Sequence, residues 1–304
     1  MKKRQPQKKK NQRPAPAPKT GLLQTKTNQT LITAVLAIAI AVVTTIAFYG
    51  SHDNEFVTWD DHGYLHDNVA KLESAPLDLF WPPDESSYVM GNYHPLTMLA
   101  YSTLYKKYGL ISAAPYHTLN IVLHVLNTLL LFWFIFRLSG RVPIAAVVAL
   151  LFGIHPMHVE SVTWVSETKD VLYTFFFLAS LIAYIYYREK RHLKLLLVLS
   201  LFLFVFSCLA KGMAVTLFAV VVLIDYFKEK RITRQMWLEK VPFLVISLLL
   251  GYKAYLAQSA QDGIYEVALQ NYSIIDRMIF FPAYSILTYV CLLYTSDAAD
   301  EKVR

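Results

Sequence analysis

Long apolar segments alternate with polar connections along this chain from residue 30 onwards. Eight can be delimited: Thr30–Gly50, Thr118–Leu138, Val142–Ile154, Val171–Tyr187, Leu195–Ala210, Met213–Phe227, Val241–Leu256 and Met278–Tyr294. Roughly 20 apolar residues in a helix span the hydrocarbon core of a bilayer. Most segments approach that length, and the third does so if it continues to His158. The pattern predicts an all-α polytopic membrane protein with about eight spans, or one fewer if two short neighbours form a re-entrant loop.

Composition agrees with this class. Hydrophobic residues make up 55% of the 304 positions and charged residues 17%, and the mean hydropathy is +0.37. These values are too apolar for a soluble domain of this length. Cys208 and Cys291 both lie in apolar segments, where they suggest neither a disulfide framework nor a metal site.

Basic residues fall on one side of the predicted membrane. The tail 1–29, the connection near residues 137–141 and the connections 188–194 and 228–240 hold most of the 29 basic residues. This asymmetry places the N-terminus in the cytoplasm. The net charge of +7 is therefore a topology signal, and we expect no nucleic-acid partner. The tail is rich in Lys, Gln and Pro, which predicts a disordered segment that can contact anionic lipid. We expect the first span to be retained, because its apolar core is too long for a cleaved signal peptide.

The connection 51–117 lies on the opposite side and is long, acidic and rich in histidine. Its stretches Leu77–Trp81 and Met98–Tyr101 predict interfacial helices with aromatic anchors. Asp60 and Asp61 follow Trp59 just past the first span, where partial burial can raise a carboxylate pKa and make it a usable base. Adjacent acids are common in solvated loops, so this signal is weak alone.

Two further polar features interrupt the apolar pattern. The block 155–172 places histidines, acids and a lysine between two apolar segments, and ionisable groups at a membrane face often mark a substrate path or reaction centre. In the second span, polar residues follow one another at intervals of three, four and three, which puts them on one helix face. That face is expected to point into the bundle, either at a site or in interhelical hydrogen bonds without catalysis. Its members are His117, Asn120, His124 and Asn127.

Several motifs together resemble the transmembrane-and-tetratricopeptide O-mannosyltransferase-like proteins and their bacterial relatives, in the GT-C glycosyltransferase class. The motifs are Trp59-Asp60-Asp61, His94-Pro95-Leu96-Thr97, His155-Pro156-Met157-His158-Val159-Glu160-Ser161-Val162, Lys169-Asp170-Val171-Leu172, Ala210-Lys211-Gly212-Met213-Ala214-Val215-Thr216 and Leu223-Ile224-Asp225-Tyr226. The resemblance runs from about residue 56 to residue 290. The block 155–172 is its specific part.

The resemblance implies a GT-C-like bundle, residues 30–290, that moves a sugar from a polyprenyl-phosphate donor to a hydroxyl acceptor on the extracytoplasmic face. A first-loop carboxylate acts as base in that class, which here means Asp60 or Asp61. The departing phosphate needs cations, and the candidates are His94, His155, His158, Lys169 and Lys211. Supporting positions are Glu160, Asp170, His117 and His124, and Glu160 or His158 could instead only cap or orient the block.

No glycine-rich nucleotide-binding loop is evident, which suits a lipid-linked donor. The histidines allow a divalent metal, but no spacing demands one. A transporter or flippase of lipid-linked glycans could use the same polar groups, and a non-enzymatic scaffold is a third alternative. The ending 291–304 looks like translated sequencing-adapter read-through. We therefore expect a natural chain that continues into tetratricopeptide repeats, in a bacterial inner membrane.

Overall fold

The computed structural model describes residues 20–82, 88–190, 193–230, 233–260 and 273–294. Most of the predicted tail 1–29, the acids Asp84 and Glu85 of the first loop, and the ending beyond residue 294 lie outside the described residues. Twelve α-helices connect the described parts: α1 Thr20–Tyr49, α2 Val69–Glu73, α3 Pro76–Phe80, α4 Pro95–Tyr108, α5 Ala114–Ser139, α6 Val142–Ile154, α7 Val159–Thr163, α8 Thr168–Glu189, α9 Lys194–Ala210, α10 Leu217–Glu229, α11 Arg234–Ser259 and α12 Ile274–Tyr294. The all-α prediction is confirmed.

Every predicted apolar segment coincides with a helix, but the helices differ in length. Four are long and apolar enough to cross a membrane: Gln29–Asp53, Ala114–Ser139, Val165–Glu189 and Arg234–Ser259. A fifth candidate is the pair Val142–Ile154 and Pro156–Thr163, which bends by 50° at His155. Shorter apolar helices are α9 and, within α12, Met278–Thr288, and α10 has 13 residues. Among the described residues, length and composition therefore support four to five full spans.

The transmembrane core is built from α5, α8 and α9, with α1 and α6 packed against α5. The main apolar cluster joins residues of α8, α9, α10 and α11, such as Tyr184, Phe204 and Phe243, all fully buried. At Gly153, near the end of α6, a Cβ atom would lie 2.4 Å from Thr44 Oγ1 and 3.0 Å from Thr128 Cγ2. Only glycine allows α1, α5 and α6 to approach so closely there.

The first loop folds into a small subdomain of its own on this bundle. Tyr64, Leu65, Leu72, Met98 and Tyr101 are buried together in its core. The interfacial position of the stretches Leu77–Trp81 and Met98–Tyr101 stays a prediction. In α3, Leu77 is 73% exposed, as a membrane anchor would be. In the Met98–Tyr101 stretch, the side chains of Met98 and Tyr101 pack inward from α4 into the first-loop core.

A buried ionic cluster joins α8, α10 and α11 at the far end of α8. Arg188 Nε lies 2.8 Å from Asp225 Oδ1, and the Lys240 ammonium forms an ion pair with the same carboxylate. The Tyr184 hydroxyl donates to Asp225 Oδ2 at 2.9 Å and accepts from Lys240 at 3.0 Å. A rise of 1.5 Å per residue puts Arg188 roughly 30 Å along α8 from Lys169. The cluster thus lies at the bundle end opposite to the first loop.

Candidate active site

Asp61 fastens the first loop to the segment before α8. Its side chain is fully buried, Oδ1 accepts a hydrogen bond from the Ser166 backbone N–H at 2.7 Å, and Oδ2 accepts from the Val57 N–H at 2.9 Å. The Ser166 N–H would otherwise be buried without a partner. This geometry makes Asp61 a structural anchor.

Asp60 has a different environment from its neighbour. Its side chain is half-buried, and within the described part of the chain it makes no hydrogen bond or ion pair. It lies close enough to the Lys169 ammonium and the Tyr64 hydroxyl to interact electrostatically with both. A carboxylate with free oxygens beside a cation can accept a proton from an incoming hydroxyl, which Asp61 cannot do without losing its backbone contacts.

Four charged residues around the start of α8 form what we call the lysine cluster: Glu167, Lys169, Asp170 and Lys211. Lys169 Nζ lies 3.0 Å from Glu167 Oε1, and Lys211 Nζ lies 3.6 Å from Glu167 Oε2. Lys211 also forms an ion pair with Asp170, whose other oxygen accepts from the Ser161 hydroxyl at 3.2 Å. Each lysine thus has an acidic partner within the cluster.

His94 reaches the same place from the first loop. It is 3% exposed, its ring packs edge-to-face on Tyr64 with centroids 5.2 Å apart, and it interacts with the charges of Lys169 and Lys211. Burial and these two cations lower the pKa of His94 from 6.5 to about 3. The imidazole is therefore neutral at physiological pH. It is not the cation expected from the sequence, but its N–H group remains a hydrogen-bond donor.

Hydrogen bonds from α4 and α5 hold the segments that carry these groups. The Tyr101 hydroxyl donates to the Val165 carbonyl at 2.9 Å, and the Thr97 hydroxyl donates to the Ala210 carbonyl at 2.9 Å, directly before Lys211. Asn120 donates to the Trp164 carbonyl at 2.9 Å and accepts from the Thr168 hydroxyl at 2.6 Å. The ends of α8 and α9 are thereby fixed relative to the first loop.

The polar stripe of α5 mainly makes interhelical hydrogen bonds. Besides Asn120, Asn127 Nδ2 donates to the Val171 carbonyl at 2.8 Å, and His124 Nε2 donates to the Gly153 carbonyl at 3.1 Å. His117 is 1% exposed and close to the charge of Asp61. These contacts match the alternative of hydrogen bonding without catalysis.

The remaining predicted residues make other contacts, although His158 lines a cavity that Asp170 of the lysine cluster also lines. His155 Nδ1 accepts from the Met157 N–H at 3.2 Å and so caps the short turn Pro156–His158. His158 packs against Phe152 and His124, with ring centroids 4.4 Å and 5.5 Å away. Glu160 is exposed on α7. Of the predicted phosphate ligands, the structure brings together His94, Lys169 and Lys211.

Two features of the structure have no counterpart in the sequence prediction. Tyr64 lies under the Lys169 ammonium, 4.7 Å from nitrogen to ring centroid, and burial raises the pKa of its hydroxyl. The ionic cluster around Asp225 was also not predicted, although charged residues at the ends of apolar segments were a usable signal.

A divalent metal finds no site within the described ranges, where no three His, Cys, Asp or Glu side chains converge on one point.

Comparison with known proteins shows one consistent group of relatives. Protein O-mannosyl-transferase TMTC4 of Mus musculus is 31% identical over 166 residues, which cover 48% of this chain and 22% of that protein. TMTC1 of Homo sapiens is 29% identical over 65% of this chain and 24% of its own length. TMTC3 of Mus musculus is 28% identical over a region that covers 59% of this chain and 20% of its own length.

The chain spans less than a quarter of the length of these curated relatives. No family model matches it, and no solved structure matches it. All three relatives are named as TMTC protein O-mannosyl-transferases, and identities near 30% extend over 48% to 65% of this chain. They confirm the resemblance drawn from the motifs: this chain is a membrane protein related in sequence to the TMTC protein O-mannosyl-transferases.

Proposed function

We propose that the chain is part of a GT-C-class glycosyltransferase that moves a sugar from a polyprenyl-phosphate donor to a protein hydroxyl. The observation that carries this proposal is the free carboxylate of Asp60 beside the lysine cluster, in a chain related to proteins named O-mannosyl-transferases. The proposed reaction takes place at the first-loop face, on the side that the distribution of basic residues predicts to be extracytoplasmic. The membrane proposed is a bacterial inner membrane.

The chemistry follows from the groups present. Asp60 removes the proton of the acceptor hydroxyl while the hydroxyl oxygen attacks the anomeric carbon of the sugar. The bond between that carbon and the phosphate oxygen breaks, and the electron pair leaves with the phosphate. Lys169 and Lys211 stabilise the charge on the departing phosphate, and neutral His94 donates a hydrogen bond to it.

The acidic partners of the two lysines affect how a donor phosphate can bind. Because Lys211 is paired with Asp170 and Lys169 with Glu167, a phosphate has to compete with these carboxylates for the ammonium groups. In the absence of donor, the carboxylates hold both lysines in position at a partly buried site.

Transfer from different donors tests the proposal. Membranes that contain the full-length protein are incubated with radiolabelled mannose, supplied either as polyprenyl-phosphate mannose or as a nucleotide sugar, and labelled protein is counted. We expect transfer from the lipid-linked donor and none from the nucleotide sugar when lipid carrier is removed. Movement of the lipid-linked sugar across the membrane without any labelled protein would favour the transporter alternative.

A further inference from the structure

Tyr64 is the aromatic residue on which the Lys169 side chain rests. It lies in the turn His62–His66 of the first loop and is 1% exposed. The Lys169 nitrogen stands 4.7 Å from the centroid of its ring, and His94 packs edge-to-face against the same ring, with centroids 5.2 Å apart. A cation over the face of an aromatic ring is attracted by the electron density of that face. Tyr64 therefore contacts both Lys169 and His94 of the candidate site.

Two neighbours of Lys169 differ in charge. The Glu167 carboxylate places Oε1 3.0 Å from the ammonium nitrogen, and its negative charge opposes the approach of an anion. The Tyr64 ring carries no net charge at physiological pH, because burial raises the pKa of its hydroxyl and keeps it protonated. The ring thus attracts the ammonium without repelling a phosphate that binds to it.

Glu167 is shared between the two lysines of the lysine cluster. Its second oxygen, Oε2, lies 3.6 Å from Lys211 Nζ. An anion that takes the place of Glu167 at Lys169 therefore leaves this carboxylate with Lys211 as its cation. The contact between Lys169 and Tyr64 does not depend on Glu167, so the ring continues to hold the ammonium when the anion binds.

The position of the Tyr64 ring is itself fixed by the turn before His94. The Tyr64 hydroxyl accepts a hydrogen bond from Asn92 Nδ2 at 3.1 Å, and the same amide donates to the Met90 carbonyl at 2.9 Å. Met90 has a positive φ of 49°, a conformation that costs energy for a residue with a side chain. Its sulfur fills the space beside Gly63, where an added Cβ atom would lie only 2.6 Å away. Residues strained in this way tend to lie where geometry matters for function.

We propose that Tyr64 is a positioning residue of the donor site, whose ring holds the Lys169 ammonium in place for the phosphate. This inference rests on the proposed function, which supplies the phosphate but gives Tyr64 no part. Tyr64 acts through Lys169 and not by contact with the reacting atoms.

Graded fluorination of the ring tests this role with little change of shape. Full-length protein is produced with phenylalanine, monofluorophenylalanine or trifluorophenylalanine in place of Tyr64, and the Kd of a fluorescent prenyl phosphate is measured by anisotropy in detergent. Fluorine withdraws electron density from the ring face and so weakens its attraction for a cation. We expect Tyr64→Phe to bind the probe nearly as tightly as the unmodified protein. The Kd should then increase stepwise with fluorination, by about fivefold for trifluorophenylalanine, which corresponds to roughly 1 kcal/mol of binding free energy.

Two controls distinguish positioning from a merely structural role. The same fluorinated series at Tyr116, a buried tyrosine of the same first-loop core, should leave the Kd unchanged. In a Lys169→Gln background the series at position 64 should also have no effect, because the cation is absent and the two changes are coupled. A Kd that is independent of fluorination at position 64, or a dependence of equal size in the Lys169→Gln background, would overturn the proposal.

The outcomes separate this inference from the proposed function. If the Kd follows fluorination but the protein transfers no sugar, Tyr64 positions Lys169 at a phosphate site and the transferase proposal fails. If the protein transfers sugar but the Kd does not follow fluorination, the transferase proposal stands and the role of Tyr64 is wrong. If the unmodified protein binds no prenyl phosphate, the inference is overturned whether or not sugar is transferred.

Discussion

The Asp61 carboxylate accepts a hydrogen bond from the backbone N–H of Ser166 at 2.7 Å, across 105 positions of the chain. This contact joins the first loop to the segment that begins α8. Because the second oxygen of Asp61 is bonded to Val57, the adjacent Asp60 is held at the surface of the same site with its oxygens free. The two neighbouring acids thereby acquire different roles.

We predict that Asp61→Asn lowers the stability of the protein. An asparagine amide can accept only one of the two backbone hydrogen bonds and turns its NH2 group towards the other donor. An unsatisfied buried donor costs about 1–3 kcal/mol. Thermal unfolding in detergent and the yield of folded protein measure the effect. Asp60→Asn is the matched control at the neighbouring position. If the Asp61→Asn protein is as stable as this control, the anchoring role of Asp61 is contradicted.

Lys169→Gln is expected to weaken donor binding. The substitution removes the ammonium that faces Asp60 and leaves Glu167 with the more distant Lys211 as its cation, at 3.6 Å. The KM for polyprenyl-phosphate donor should rise, and the salt dependence of KM should decrease because screening acts on charge attraction. Steady-state kinetics at two ionic strengths measure both. His155→Gln is the comparison, since His155 caps a turn away from the cluster. An unchanged KM in Lys169→Gln would reject the phosphate site there.

The buried position of His94 predicts sensitivity to acid. Its pKa is about 3 in the folded protein and near 6.5 when unfolded. Between these values the unfolded chain binds the additional proton, so stability is complete above pH 6.5 and falls as the pH decreases towards 3. Lys169, Lys211 and Tyr64 are the groups that face the ring. Unfolding temperatures at pH 7 and pH 5 should differ less in His94→Gln than in the unmodified protein, and His52→Gln is the control. An identical difference in all three proteins would contradict the assignment.

Breaking the ionic cluster at the far end should be costly. Asp225→Asn leaves the buried cations of Lys240 and Arg188 without their shared carboxylate, and loss of one partner of a buried pair typically costs 3–5 kcal/mol. Lys194→Met, at an exposed position of α9, should have almost no effect. Differential scanning calorimetry of detergent-solubilised protein compares the unfolding temperatures of the two variants. Equal unfolding temperatures would show that the cluster does not secure α10 and α11 to α8.

Side-specific labelling tests the orientation. Ser112→Cys lies on the exposed first-loop side, and Lys194→Cys lies at the opposite end of the bundle. In a background without native cysteines, a membrane-impermeant maleimide should label Ser112→Cys in intact cells and Lys194→Cys only after the membrane is opened. The reverse pattern would place the candidate site in the cytoplasm.

Much of the architecture could be predicted because apolar segments and basic connections are local properties of the sequence. The roles of individual site residues could not be predicted from the sequence. Asp60 and Asp61 are chemically identical neighbours, and they differ only in burial and in the hydrogen bonds of Asp61 with Val57 and Ser166. Likewise, the pairing of Lys211 with Asp170 depends on how α9 meets α8. The burial of Met98 and Tyr101 depends on a first-loop core whose members are far apart in sequence.

Sugar transfer by the two aspartate variants tests the central claim most directly. Asp60→Asn and Asp61→Asn are compared in membranes of the full-length protein, with radiolabelled polyprenyl-phosphate mannose and with activity expressed per folded molecule. Loss of a general base typically reduces the rate by roughly 10²–10⁴-fold. We predict a decrease of that size for Asp60→Asn at normal stability, and a much smaller decrease per folded molecule for Asp61→Asn. Full transfer by Asp60→Asn would contradict its assignment as the base.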